Sequence, residues 1–164
     1  MQSRKITPQQ ALTRCEALCA RSEQSSGDIA MKLKKWGLSQ ADVAAILRQL
    51  EGDGYVDDER YARAYVREKF RFAGWGRVKI AYGLRQKSVD NNAIAEAMDE
   101  IDADEYVAKL EALLGSKSRT MKSREPMQMR ASLLRFAAQR GFESGVSVAA
   151  VNKVMGNSSD VFDD

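Results

Sequence analysis

The chain is 164 residues long, 44% hydrophobic and 30% charged, with a formal net charge of +3 and no histidine. That length suits one compact domain or a short array of small units, and no apolar run approaches the roughly 20 residues that span a bilayer. Lack of histidine removes the commonest general base and the commonest metal ligand together, which puts binding ahead of catalysis.

Met1-Gln2-Ser3-Arg4-Lys5 lacks the apolar core of a secretory signal, so a cytoplasmic protein is expected. Thr7-Pro8-Gln9-Gln10 has the form of a capping box with proline at the first helical position. The helix it opens carries Leu12, Cys15, Leu18 and Cys19 inward. The two cysteines stand one turn apart, but two thiols cannot close a tetrahedral zinc site without further ligands. They are read as small buried apolar residues. A second helix is predicted over residues 27–36, ending at Gly37, with Trp36 in the core. Ser39 caps a third, with Val43, Ile46, Leu47 and Leu50 on one stripe.

After the break Gly52-Asp53-Gly54 comes the one dense carboxylate cluster, Asp57-Asp58-Glu59. It precedes a helix and is read as capping and dipole-complementing rather than catalytic. If that helix spans residues 58–73, Arg60, Arg63, Arg67 and Arg71 form one ridge. Tyr61, Tyr65 and either Phe72 or Val66 then turn toward the core. Gly74-Trp75-Gly76 makes a turn into a second basic helix bearing Arg77, Lys79, Arg85 and Lys87. Trp75 can either stack on a base or partner, or pack back on the core. Residues 60–87 hold nine basic residues against one acidic, residues 90–111 eight acidic against one basic, and residues 117–140 seven basic against Glu125. A solvated helix usually mixes signs. The near absence of acids among residues 60–87 therefore favours a face for a polyanion, with the acidic band turned away from it.

Asp90 caps a further helix with Ile94, Ala97, Met98 and Ile101 in a stripe. Tyr106 and Leu110 begin a longer one, followed by a polar basic stretch at residues 115–124, expected as a loop or frayed helix end. The stripe of the third helix recurs 51 positions later at Ile94, Ala97, Met98 and Ile101, and 105 later at Val148, Val151, Asn152 and Met155. The turns Gly37-Leu38, Ser88-Val89 and Gly141-Phe142 accompany them. A period near 50 residues with three helices per unit implies an all-α fold of three tandem three-helix repeats, an elongated array that can curve. The repeats are expected at residues 7–53, 57–102 and 103–156, followed by an acidic, mobile tail at 157–164.

Gly54-Tyr55-Val56-Asp57-Asp58-Glu59-Arg60-Tyr61-Ala62, then a basic helix, then Leu84-Arg85-Gln86-Lys87-Ser88-Val89, resembles the RecX family, bacterial regulators of the recombinase RecA. The similarity extends upstream to Leu33–Leu38 and more loosely downstream to Arg135, Phe136 and Arg140-Gly141-Phe142. It is strong over residues 33–101, and the family usually has glycine where Ser88 stands. The resemblance implies three tandem repeats. It also implies a non-enzymatic, cofactor-free protein that binds the RecA–DNA filament in its groove and restrains recombinase, ATPase and coprotease functions, although some members promote the recombinase instead. The expected partners are the RecA filament and single- or double-stranded DNA; no membrane is involved, and a monomer suits a groove-filling rod. The candidate contacts are Arg60, Arg63, Arg67, Arg71, Trp75, Arg77, Lys79, Arg85 and Lys87, with Arg130 and Arg135 of the second basic region extending the face. Two other readings compete: a helix-turn-helix-like DNA-binding regulator, and a helical-repeat adaptor for acidic proteins. The third helices are poor recognition helices, Ala-rich or acidic over residues 93–100.

Overall fold

A computed structural model describes residues 5–122 and 124–159. The described residues form nine α-helices and no strand, in three consecutive triplets. These are α1 (Pro8–Arg21), α2 (Ser26–Lys35) and α3 (Gln40–Gly52); α4 (Asp58–Arg71), α5 (Arg77–Gln86) and α6 (Asn91–Met98); and α7 (Ala103–Arg119), α8 (Pro126–Gln139) and α9 (Ser144–Ser159). No helix among the described residues is long and apolar enough to cross a membrane.

Local chemistry explains where the helices start. Thr7 and Gln10 close the capping box of α1 through reciprocal bonds of 3.2 and 3.0 Å. Ser25, Ser39, Asp57, Asp90 and Asp102 each accept from a backbone N–H three residues on, at 2.8–3.2 Å. The carboxylate cluster serves two helices: Asp57 caps its own, while Asp58 accepts from the Ser26 backbone N–H (2.8 Å) and hydroxyl at the head of α2.

The second helix of each triplet ends in the same way. Leu38, Val89 and Phe142 donate to the carbonyls five residues back, Leu33, Leu84 and Ala137, at 3.2, 3.1 and 3.0 Å. The residue before each donor is left-handed: Gly37 at φ 89°, Ser88 at 63° and Gly141 at 90°. Ser88 therefore adopts the left-handed turn that glycine makes at the two matching positions of this chain, although a side chain is strained there.

By compactness the chain divides into two units. The first holds the residues up to Tyr65 together with Gly83–Ala97; the second holds Val66–Tyr82 and the residues from Met98 onward. In the first, Leu12, Cys15, Ile29, Leu33, Ile46, Leu50 and Val56 form the core, with Trp36, Val43, Leu47 and Cys19 packed against it. Burial pushes the Cys15 thiol up to about 11, so it remains a protonated apolar group. In the second, α7, α8 and α9 pack on one another around Tyr106, Leu110, Leu133, Ala137 and Val151.

One expectation needs correcting, and two open readings are resolved. The third copy of the stripe lies one residue earlier than expected: Val148 is 39% exposed and Asn152 is exposed, whereas Ser147, Ala150 and Val151 are buried. These three follow Val43, Ile46 and Leu47 by 104 positions, the offset between Gly37 and Gly141. Ser147 hides the register because it is polar, yet its hydroxyl is satisfied by the Glu143 carbonyl at 2.7 Å. Of the two readings of residues 115–124, the helix end holds for 115–119, which are the last turns of α7, capped by Thr120. Of the pair left open, Val66 is buried and Phe72 is 88% exposed, while Phe70 supplies the inward aromatic. The expected tail lies outside the described residues from Asp160 onward, and the backbone of 157–159 belongs to α9.

Candidate partner-binding surface

In the first unit, α4 and α5 present Arg60, Arg63 and Arg85, and the turn after α5 presents Lys87. Arg60 is spent on local structure: its Nε meets Glu23 at 2.7 Å and its guanidinium donates to the Gly54 carbonyl at 3.1 Å. Arg63 is half-buried, and exposed Arg85 donates to Asn91 at 3.2 Å.

In the second unit, Arg67 and Arg71 are exposed at the end of α4, where they share a shallow depression with Glu100 and Glu105. Arg71 Nε lies 3.9 Å from Glu105. Part of the acidic band thus meets the basic row. Trp75 is half-buried, with the ammonium groups of Lys69 and Lys79 at 4.8 and 4.4 Å from its ring centroid. The indole already holds two cations at that turn, which favours a structural role. Arg135, on α8, lines a basic depression with Lys117 and Arg124, whereas Arg130 donates to Asn152 on α9.

Two of the candidate cations lie at interlocking contacts between triplets. In the first unit, α2 begins against the turn that ends α5. A Cβ on Gly27 would stand 2.2 Å from the Lys87 carbonyl oxygen, so only glycine permits this approach. There Lys87 Nζ meets Asp28 at 2.8 Å. The hydrogen bond to Asp28 raises the Lys87 pKa, against burial and with help from Tyr61. Burial pushes the Tyr61 phenol up, with Lys87 opposing.

In the second unit, α5 begins against the turn that ends α8. A Cβ on Gly76 would stand 2.4 Å from the Gly141 carbonyl oxygen. Arg77 meets Glu143 at 3.1 Å and lies 3.9 Å from the Tyr106 ring centroid. Tyr106 Oη accepts from the Arg77 backbone N–H at 3.0 Å and donates to Glu143. Burial, then the bond to Glu143, raises the Tyr106 pKa. Burial alone would raise the Glu143 pKa as well, but hydrogen bonds from Tyr106, its own backbone and Arg77 hold it below the usual carboxylate value.

The candidates thus fall into two classes. Arg67, Arg71, Arg85 and Arg135 are exposed, while Arg60, Arg77, Lys79 and Lys87 are half-buried in contacts that hold the fold. The charge count flagged Lys69, Lys117 and Arg124 only as part of a segment; their convergence on Trp75 or on one depression is a property of packing. Among the described residues, no group of three or more His, Cys, Asp or Glu is placed to hold a metal ion.

Residues 57–98 match the profile of the RecX second three-helix domain. The chain is 30% identical over 147 residues to the regulatory protein RecX of Mycobacterium sp. (strain KMS), covering 87% of this chain and 80% of that one. It is 31% identical over 127 residues to that of Halorhodospira halophila, covering 76% of each. The crystal structure of RecX from Lactobacillus salivarius superposes with a TM-score of 0.81 at 15% identity, over 90% of this chain and 96% of that one. A second structure, of a regulatory protein RecX, gives 0.78 at 24%, over 85% and 68%.

Proposed function

The chain belongs to the RecX family, and on that premise we propose that it regulates RecA by binding the RecA–DNA filament in its groove, inhibiting recombinase, ATPase and coprotease activities. It acts by binding, without catalysis or a cofactor, as a cytoplasmic monomer. The observation that carries this reading is the exposure of Arg67, Arg71 and Arg85 on α4 and α5, helices inside the segment that matches the family profile. Exposed guanidiniums suit phosphates and carboxylates alike, so DNA and acidic protein surface are both within their reach. Repeats at residues 7–53, 57–102 and 103–156 would let more than one triplet share the filament.

The test is co-sedimentation with RecA filaments on single-stranded DNA at two salt concentrations, alongside the recombinase's ATPase rate. Arg67→Glu/Arg71→Glu/Arg85→Glu is expected to lose both retention and inhibition with helicity by circular dichroism unchanged. Full inhibition by that variant would remove these helices from the mechanism. Each phosphate contact adds about 0.7 to 0.9 to the slope of log affinity against log salt.

A further inference from the structure

The basic depression in the second unit has a volume of about 280 Å3. Lys117 and Thr120 reach it from the end of α7, Arg124 from the loop that follows, and Ser132, Arg135 and Gln139 from α8. Phe136 and buried Met121 supply its apolar lining. Arg124 Nη1 and Arg135 Nη2 both donate to the Ser132 hydroxyl oxygen, at 2.8 and 3.3 Å. One neutral oxygen is a weak counterpart for two guanidiniums, which bind anionic oxygen far more strongly. With its oxygen accepting both, the Ser132 hydroxyl has its proton left to donate.

Among the described residues charge compensation is missing. No Asp or Glu lines the depression, and none pairs with Lys117, Arg124 or Arg135 among the described residues. The C-terminus of α7 offers only about half a negative charge, against three full cations. The Lys117 ammonium rests 5.6 Å from the Phe136 ring centroid, which orients it without neutralising it.

We propose that this depression binds a compact phosphoryl dianion: a phosphate monoester or inorganic phosphate. Arg124, Arg135 and Lys117 balance the charge, and the Ser132 hydroxyl and the Gln139 amide donate to the remaining oxygens. A monoester carries close to two negative charges at neutral pH, whereas a bridging diester carries one and leaves more of the site unbalanced. On a nucleic acid the matching group is a terminal phosphate. The site does not depend on the filament reading, because a free anion tests it.

The experiment is titration calorimetry of the full chain at constant ionic strength. Inorganic phosphate comes first, then one oligonucleotide with and without a 5′-phosphate. Phosphate is expected to bind saturably, and the phosphorylated strand about ten-fold tighter than its partner, the worth of one charge-assisted contact set. Arg124→Gln/Arg135→Gln should erase that advantage and Ser132→Ala should reduce it several-fold, with unchanged thermal melts. Lys34→Gln/Arg48→Gln, exposed cations of the first unit, should leave it intact. Absence of saturable phosphate binding, equal affinity for the two strands, or an equal loss in the Lys34/Arg48 control would each overturn the proposal.

Discussion

The contact of α2 with the end of α5 and the contact of α5 with the end of α8 share one plan. Each sets a glycine beside a carbonyl oxygen of a helix-ending turn, an ion pair next to it, and a tyrosine from the first helix of the later triplet. The signs are exchanged: the incoming helix brings Asp28 to Lys87 in one and Arg77 to Glu143 in the other. The turn differs too, with Ser88 left-handed in the first and Gly141 in the second. Glycine contact and tyrosine are thus the common frame, while the charges are free to be written either way.

The strongest way to separate the two contacts is at the turns. A Cβ at Gly141 would lie 2.3 Å from Lys79 Cβ, at φ +90°, so Gly141→Ala should cost about 3 kcal/mol in urea unfolding through overpacking plus left-handed strain. Ser88→Gly should do the reverse and stabilise by about 0.5 to 1 kcal/mol, because relief of strain exceeds the added freedom of the unfolded chain. Destabilisation by Ser88→Gly would show that the serine turn has its own supporting contacts.

A smaller difference is expected in the ion pairs. Double-mutant cycles with Asp28→Asn/Lys87→Met and Arg77→Met/Glu143→Gln should give coupling of about 0.5 to 1 kcal/mol for the first pair and about 1 to 2 for the second. The second gains because Tyr106 bonds both to Glu143 and to the Arg77 backbone. Equal couplings would reduce the tyrosine to packing alone.

The mildest effect is on pH dependence. Glu143 is held below its ordinary 4.5, so its contribution is present above that value and drains as pH falls through the folded-state pKa. Lys87 and Tyr61 are raised above 10.5 and 10.0. Their contributions are present below those values and drain as pH rises. Glu143→Gln should therefore flatten the acid limb of a stability profile, and Lys87→Met the alkaline limb. Tyr106, also raised, keeps some alkaline sensitivity in the second contact.

Much of the fold was legible because its signals are local. Thr7, Ser39, Asp57 and Asp90 announce helix starts through backbone chemistry alone, and Gly37 and Gly141 announce ends. The third stripe was misplaced by one residue because a buried serine bonding its own helix looks like a surface residue. The candidate surface was legible only as composition. Arg77 and Arg71 look alike in a charge count, and only packing sends one to Glu143 and Tyr106 and leaves the other exposed. The pairing of Arg124 with Arg135 on Ser132 spans a loop whose path carries no periodic signal.

The exchanged signs also act as an address. If the helix starts and turn ends met in the wrong combination, Asp28 would face Glu143 within one chain, and Arg77 would face Lys87 of a neighbouring molecule, two encounters between like charges. A folding chain with three similar triplets risks joining them out of order or lending one to a neighbouring molecule. Here the wrong joins are repelled while the right ones attract, so the succession of repeats is encoded in four side chains as well as in the order of the polypeptide.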